Sequence, residues 1–135
     1  MIDNNDIDTL ARTLYGEARG EPYKGKLLVA YVILNRWRTG YRNKETIAQV
    51  CQDPWQFSCW NKNDPNLFKL QAVDMADKVF RECYKAALEA IDSVNELPLT
   101  TRHYYATSMP SPPFWAAGHE PVREHGRHRF FEGVA

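Results

Sequence analysis

Apolar residues recur at helical spacing along most of this chain and lose that period near Asn95. Ile7, Leu10, Ala11 and Leu14 fall at i, i+3, i+4 and i+7 behind Asn5 or Asp6 as N-cap, and the pattern stops at Gly16. This predicts a first helix from Asp6 to Tyr15 or Glu17. Pro22 suits the first turn of a second helix, where its missing N–H has no intrahelical partner, and Leu27, Ala30, Tyr31 and Leu34 form an apolar stripe that should end before Gly40. Thr46 caps a short third helix through Ile47, Val50 and Cys51, which ends before Asp53-Pro54. From Ala72 to Ile91, the residues Val73, Ala76, Phe80, Cys83, Tyr84, Ala87 and Ile91 keep helical spacing with charges between them, predicting the longest helix.

After Pro98 the period changes. The runs Arg102-His103-Tyr104-Tyr105-Ala106 and His128-Arg129-Phe130-Phe131 are aromatic enough for short extended segments that pair with each other. Between them, Pro110, Pro112, Pro113 and Gly118 forbid long regular structure. Two readings of that loop stand together: it covers a ligand, or Phe114 and Trp115 plug it onto the body. The expected fold is mainly α, of the α+β kind: a compact helical body, a loop-rich aromatic C-terminal part and at most a small β hairpin.

Composition narrows the function classes. With 135 residues, 44% of them apolar and 25% charged, the chain fits one globular domain spanning 1–135 and excludes disorder and collagen-like repeats. Lys plus Arg equals Asp plus Glu at 17 each, so no global field draws the chain to nucleic acid or anionic lipid. The apolar run Leu27 to Leu34 is too short to span a bilayer, and the N-terminus lacks the basic and apolar regions of a signal peptide. These features predict a monomer made in the cytoplasm without membrane insertion. Cys51, Cys59 and Cys83 read as reduced core thiols, and neither CxxC nor His-x-x-x-His spacing occurs, so no metal or cofactor is expected.

The densest chemistry lies in Leu14-Tyr15-Gly16-Glu17-Ala18-Arg19-Gly20-Glu21-Pro22. It sets Glu17 at a helix end between two glycines, where the missing Cβ lets another backbone or a ligand come close. A carboxyl there meets the negative end of the helix dipole, and burial against aromatics disfavours its ionised form further. Such a group keeps its proton near neutral pH and can deliver it to a leaving oxygen. The plainer alternative makes Gly16 and Gly20 helix terminators and Glu17 with Arg19 a solvated pair. Glu21 then caps the first turn of the second helix.

This segment, with Gly25, Val29-Ala30 and Ile33-Leu34-Asn35-Arg36, resembles the cell wall hydrolase family of the bacterial spore cortex-lytic enzymes. Trp55-Gln56-Phe57-Ser58-Cys59-Trp60-Asn61 resembles the family's central aromatic segment, and Ala86-Ala87-Leu88 the helix after it. His103-Tyr104-Tyr105-Ala106 and Gly126-Arg127-His128-Arg129-Phe130-Phe131 are similar to its tyrosine motif and its closing Gly-x-His-x-Phe. The resemblance implies a lysozyme-like catalytic domain that cleaves the β-1,4 bond between N-acetylmuramic acid and N-acetylglucosamine in peptidoglycan glycan strands. It makes Glu17 the catalytic acid/base of a lytic transglycosylase, in which the muramic C6 hydroxyl attacks the anomeric carbon. Within that frame Gln56 and Ser58 are expected to bond acetamido or hydroxyl groups, and Tyr104 or Tyr105 to orient Glu17. Phe57 and Trp60 offer ring faces to the sugar. The Asn35-Arg36 pair reads as a structural link to a neighbouring loop.

The chain departs from the spore members in Asn61 to Lys69 and in Ser108 to Glu124, and shows neither their signal peptide nor their repeat domain. In these respects it looks more like a phage or prophage endolysin, released by a holin to act in the periplasm or cell wall. Three rival readings remain. One is a hydrolysing muramidase with Asp53, Asp64 or Glu120 as second carboxylate. Another is a non-catalytic wall-binding module. The third is a peptidase or amidase using Cys59 with His103 or His128.

Overall fold

The computed structural model describes residues Met1–Ala135 as five α-helices and a small sheet: α1 Asn4–Ala18, α2 Tyr23–Arg38, α3 Ile47–Cys51, α4 Pro65–Ala72, α5 Lys78–Asp92, β1 Thr101–Ala106, β2 Arg123–His125 and β3 His128–Glu132. The centre of the body is α2, whose residues from Gly25 to Arg36 are all buried. A helix buried on every side must be wrapped by other elements. Here α1, α3, α5 and β1 pack around it. The predicted stripe of α2 is therefore only one of several buried faces.

Helix α1 starts two residues earlier than its pattern predicts, because Asp3 is the N-cap: its carboxylate accepts the Asp6 N–H while Asp6 accepts the Asp3 N–H. It also runs through Gly16 to Ala18 instead of stopping there. The reason is contact, since a Cβ on Gly16 would lie 2.6 Å from the Cys59 Cβ and 2.8 Å from its sulfur. The glycine is a point of close approach inside the helix. Pro22 is the N-cap of α2 rather than a first-turn residue, and Thr46 caps α3 as its sequence predicts.

The helix predicted from Ala72 to Ile91 begins only at Lys78, and a separate helix that the spacing does not predict, α4, precedes it. Asp64 caps α4, with Pro65 in its first turn, and that helix ends at Ala72. Asp74 then takes the Ala76 N–H and Asp77 takes the Phe80 N–H, which restarts the chain as α5. Two Asp side chains competing for backbone donors break a hydrophobic period that reads as continuous.

The two aromatic runs do pair. Antiparallel β1 and β3 match Tyr104 with Phe130 and Tyr105 with Arg129. Instead of a lone hairpin there is a three-stranded sheet of order β1-β3-β2, with β2 joined to β3 by a turn in which Gly126 has φ +57. β2 is three residues of Arg-Glu-His, too polar and short to announce a strand. The Pro-rich loop is tied down by Trp115, whose ring packs 5.0 Å from His103 and 5.3 Å from Phe131, whereas Phe114 is left fully exposed. Trp115 is the plug and Phe114 is not.

Candidate active site

Three segments far apart in sequence meet at one groove of about 350 Å³: the end of α1 with Glu17, the turn Trp55–Ser58, and β1 with the following loop and His128. The Gly16 contact brings the Cys59 turn onto the last turn of α1. The Cys59 N–H accordingly points at Glu17 Oε2 over 3.4 Å. From the other side, the Tyr104 hydroxyl donates to Glu17 Oε1 at 2.8 Å. Alternation along β1 turns Tyr104 toward the helical core and Tyr105 toward a separate cluster with Phe131 and Trp115. The Tyr104 ring is braced by His128 at 4.9 Å and Phe130 at 5.7 Å. Burial first, and then the Glu17 carboxylate, push the Tyr104 phenol well above its ordinary range, so it stays a donor.

Of the residues expected at the site, Glu17, Gln56, Phe57, Ser58, Tyr104 and Tyr105 all line this groove. Phe57 is buried and forms its floor, with the Arg36 guanidinium 5.0 Å above its ring. Trp60 stands apart: its indole N–H donates to Thr13 Oγ1 at 2.9 Å and its ring faces a neighbouring depression. Trp55, Met109, Trp115, His128 and Arg36 line the groove as well, and none of them is among the residues expected from the sequence to bind substrate. Trp55 carries a signal in the structure alone, with φ +67 and an almost fully exposed indole. Left-handed backbone at a bulky non-glycine residue is strained, and such strain collects at functional sites.

Asn35 and Arg36 do make a structural link: Asn35 Nδ2 donates to the Pro98 carbonyl of the preceding loop at 3.1 Å and to the Thr101 carbonyl of β1 at 2.9 Å, and Arg36 Nε donates to the Arg102 carbonyl of β1 at 2.7 Å. Arg36 serves the groove as well, because Nη1 reaches Gln56 Oε1 at 3.3 Å. Glu21 does not cap α2. It is buried, accepts the Arg127 N–H at 2.7 Å and lies 3.7 Å from His128 Nδ1, pinning the β2–β3 turn to the start of α2.

The rival second carboxylates are occupied elsewhere. Asp53 is paired with Arg42 at 2.6 Å and Lys44 at 3.5 Å, Asp64 caps α4, and Glu120 lies on a separate pocket with His119 and Arg129. Glu17 is the one acidic side chain lining the groove. Burial, and next the adjacent Glu17 carboxylate, disfavour the Cys59 thiolate strongly, the opposite of what a nucleophile needs. All three cysteines are free and buried. No cluster of His, Cys, Asp and Glu suited to a metal ion occurs, and no helix is long and apolar enough to cross a membrane.

The fold and groove define a class before any particular relative: a mainly helical domain that presents one carboxylate to an open, aromatic-walled cleft. The chain belongs to the cell wall hydrolase family, whose model matches residues 20–131. That match begins just past Glu17. Two solved structures extend the likeness over the whole chain. One is the catalytic domain of the germination-specific lytic transglycosylase SleB from Bacillus anthracis, 28% identical with a TM-score of 0.73 and 96% of both chains covered. The other is the SleB catalytic domain of Bacillus cereus, 27% identical with a TM-score of 0.75, covering 98% of this chain and 93% of that one. The spore cortex-lytic enzyme of Bacillus subtilis is 32% identical over 134 residues, which is 97% of this chain and 39% of that protein. The chain thus spans about two fifths of that relative's length.

Proposed function

We propose that this domain cleaves the β-1,4 bond between N-acetylmuramic acid and N-acetylglucosamine in peptidoglycan as a lytic transglycosylase, with Glu17 as acid and then base. The observation that carries this reading is the solitary carboxylate of the groove, held by Tyr104 at 2.8 Å. A hydrolase of the ordinary kind needs a second carboxylate ~5 to ~9.5 Å away to attack the sugar or to activate water. A transglycosylase needs none, since its nucleophile belongs to the substrate.

Protonated Glu17 gives its proton to the glycosidic oxygen as the bond to the muramic anomeric carbon breaks and positive charge builds there. The N-acetylglucosamine portion leaves with a free hydroxyl. The Glu17 carboxylate then takes the proton of the muramic C6 hydroxyl while that oxygen bonds to the anomeric carbon, closing a 1,6-anhydro ring and returning Glu17 to its starting form. Tyr104 and the Cys59 N–H fix the carboxyl in place through both proton transfers. Gln56 and Ser58 offer polar contacts to sugar substituents, and Trp55, Tyr105 and Trp115 offer ring faces.

In the cell we assign the domain to a phage or prophage endolysin that acts as a monomer on the wall. From the cytoplasm it would reach its substrate through a holin pore. The deciding experiment is digestion of purified peptidoglycan followed by mass spectrometry of the soluble fragments. Muramic ends one water lighter than the reducing sugar are expected. Reducing muramic ends would overturn the transglycosylase reading in favour of water attack.

A further inference from the structure

A recess of about 340 Å³ opens beside the catalytic groove and shares Arg36, Trp55, Gln56, Tyr104 and Trp115 with it. We infer that this recess, walled by Arg36, Tyr41, Arg42 and His103, is a subsite for a carboxylate carried on the lactyl arm of the muramoyl unit. The inference rests on the peptidoglycan reading above and names what that site holds besides the sugar rings.

The argument starts from Arg36. It is only 6% exposed, yet it belongs to none of the ion pairs of the structure. Its bonds go to neutral acceptors, the Arg102 carbonyl and Gln56, and its guanidinium lies 5.0 Å from the ring centroids of both Tyr41 and Phe57. Burying a cation without a counter-ion is costly, and carbonyl and ring contacts offset only part of that cost. No acidic side chain lines the recess. Ala135 also lines it and adds no acidic side chain.

A second cation, Arg42, stands on the same recess with its side chain half exposed; its Nε is paired with Asp53 at 2.6 Å, which leaves its two Nη nitrogens for a ligand. It reaches this place through a left-handed backbone at both Arg42 and Asn43. Desolvation and then the neighbouring Arg36 and Arg102 keep His103 neutral, its pKa pushed down to about 4, so it adds no charge but can donate or accept a hydrogen bond. Two guanidiniums with one open approach match a planar carboxylate. A bare positive charge beside the groove would also oppose the positive charge developing at the anomeric carbon. A substrate carboxylate seated against Arg36 removes both penalties together.

Two sources supply such a group: the carboxylates of a stem peptide, or the lactyl carboxylate itself where the peptide has been removed. Soluble glycan strands would therefore be prepared with stem peptides, stripped by an amidase, and in both forms with all carboxyls converted to neutral amides. Cleavage kinetics would be measured for the wild type, Arg42→Ala and Arg36→Lys, each checked for folding by thermal unfolding. Neutralising the carboxyls is expected to raise the wild-type KM at least roughly three-fold, with kcat changing less. Arg42→Ala should raise KM on unblocked strands and have no further effect on blocked ones. The unblocked form that shows this dependence identifies the source. An unchanged wild-type KM on blocked strands, or an Arg42→Ala effect equal on blocked and unblocked strands, overturns the subsite. Failure of the wild type to cleave any strand would instead overturn the proposed function.

Discussion

Replacing Glu17 with Gln separates chemistry from architecture at one atom. The amide oxygen of Gln still accepts the Tyr104 hydroxyl at the position where Glu17 Oε1 now does, 2.8 Å away. The amide nitrogen replaces Oε2 opposite the Cys59 N–H, turning a long 3.4 Å bond into two facing donors. Losing one bond of that quality costs about 0.5–1.5 kcal/mol. For a domain of this length, where 1 kcal/mol is worth about 3–5 °C, that is a fall in melting temperature of roughly 2–7 °C. The activity loss is of another order. A positioned general acid or base contributes ~10²–10⁴-fold, and here one group serves both steps. Clearing of a cell wall suspension should therefore fall at least ~10³-fold, equivalent to about 4 kcal/mol of transition-state stabilisation. Turbidity kinetics on purified walls read the activity, and circular dichroism melting reads the fold. A Glu17→Gln protein that melts within this window and clears walls within about ten-fold of wild type, less than the smallest contribution of a positioned acid or base, would refute the assignment.

Two further predictions concern the scaffold of the site. Gly16→Ala puts a Cβ 2.6 Å from Cys59 Cβ, so α1 and the Cys59 turn must separate, costing about 1–3 kcal/mol. Gly20→Ala, with nothing within 4 Å, should stay within about 0.5 kcal/mol. Urea midpoints for the pair check this, and equal midpoints would sink it. The second prediction is acid sensitivity from His103, which stays neutral when folded down to about pH 4 but takes a proton near pH 6.5 when unfolded. Stability from this residue is present above pH 6.5 and is lost as pH falls toward 4, by on the order of 2–3 kcal/mol. His128, also held neutral by burial, acts in the same direction. Melting temperature followed from pH 7.5 to 4.5 should fall less steeply in His103→Gln than in the wild type, an interval chosen to bracket the ordinary histidine range. An equal slope would show that His103 is not the source.

What the sequence discloses and what it hides follow physical lines. Periodic helices are readable because burial writes itself as spacing, which is why α2, α3 and the core of α5 lie where their apolar residues put them. Boundaries fail where side chains compete for backbone donors, as at Asp3 and again at Asp74 and Asp77, since a cap leaves no hydrophobic trace. Strand β2 is hidden for a related reason: it is held by backbone pairing with β3, and its Arg-Glu-His sequence carries no burial signal.

The groove divides the same way. Glu17 is readable because Gly16 beside it has a structural reason to exist, and one glycine performs both tasks: it admits the Cys59 turn, and that contact sets the neighbouring carboxyl under the Cys59 N–H. Arg36 and His128 are named in the sequence only as a structural link and as a rival partner for Cys59, not as groove residues, because a polar residue at a helix end or a strand start is indistinguishable, without tertiary neighbours, from a solvated one. Only the fold shows Arg36 buried without a counter-ion and His128 wedged between Tyr104 and Glu21. A residue's cost of burial is invisible in sequence, and it is that cost which marks Arg36 as more than a link between α2 and β1.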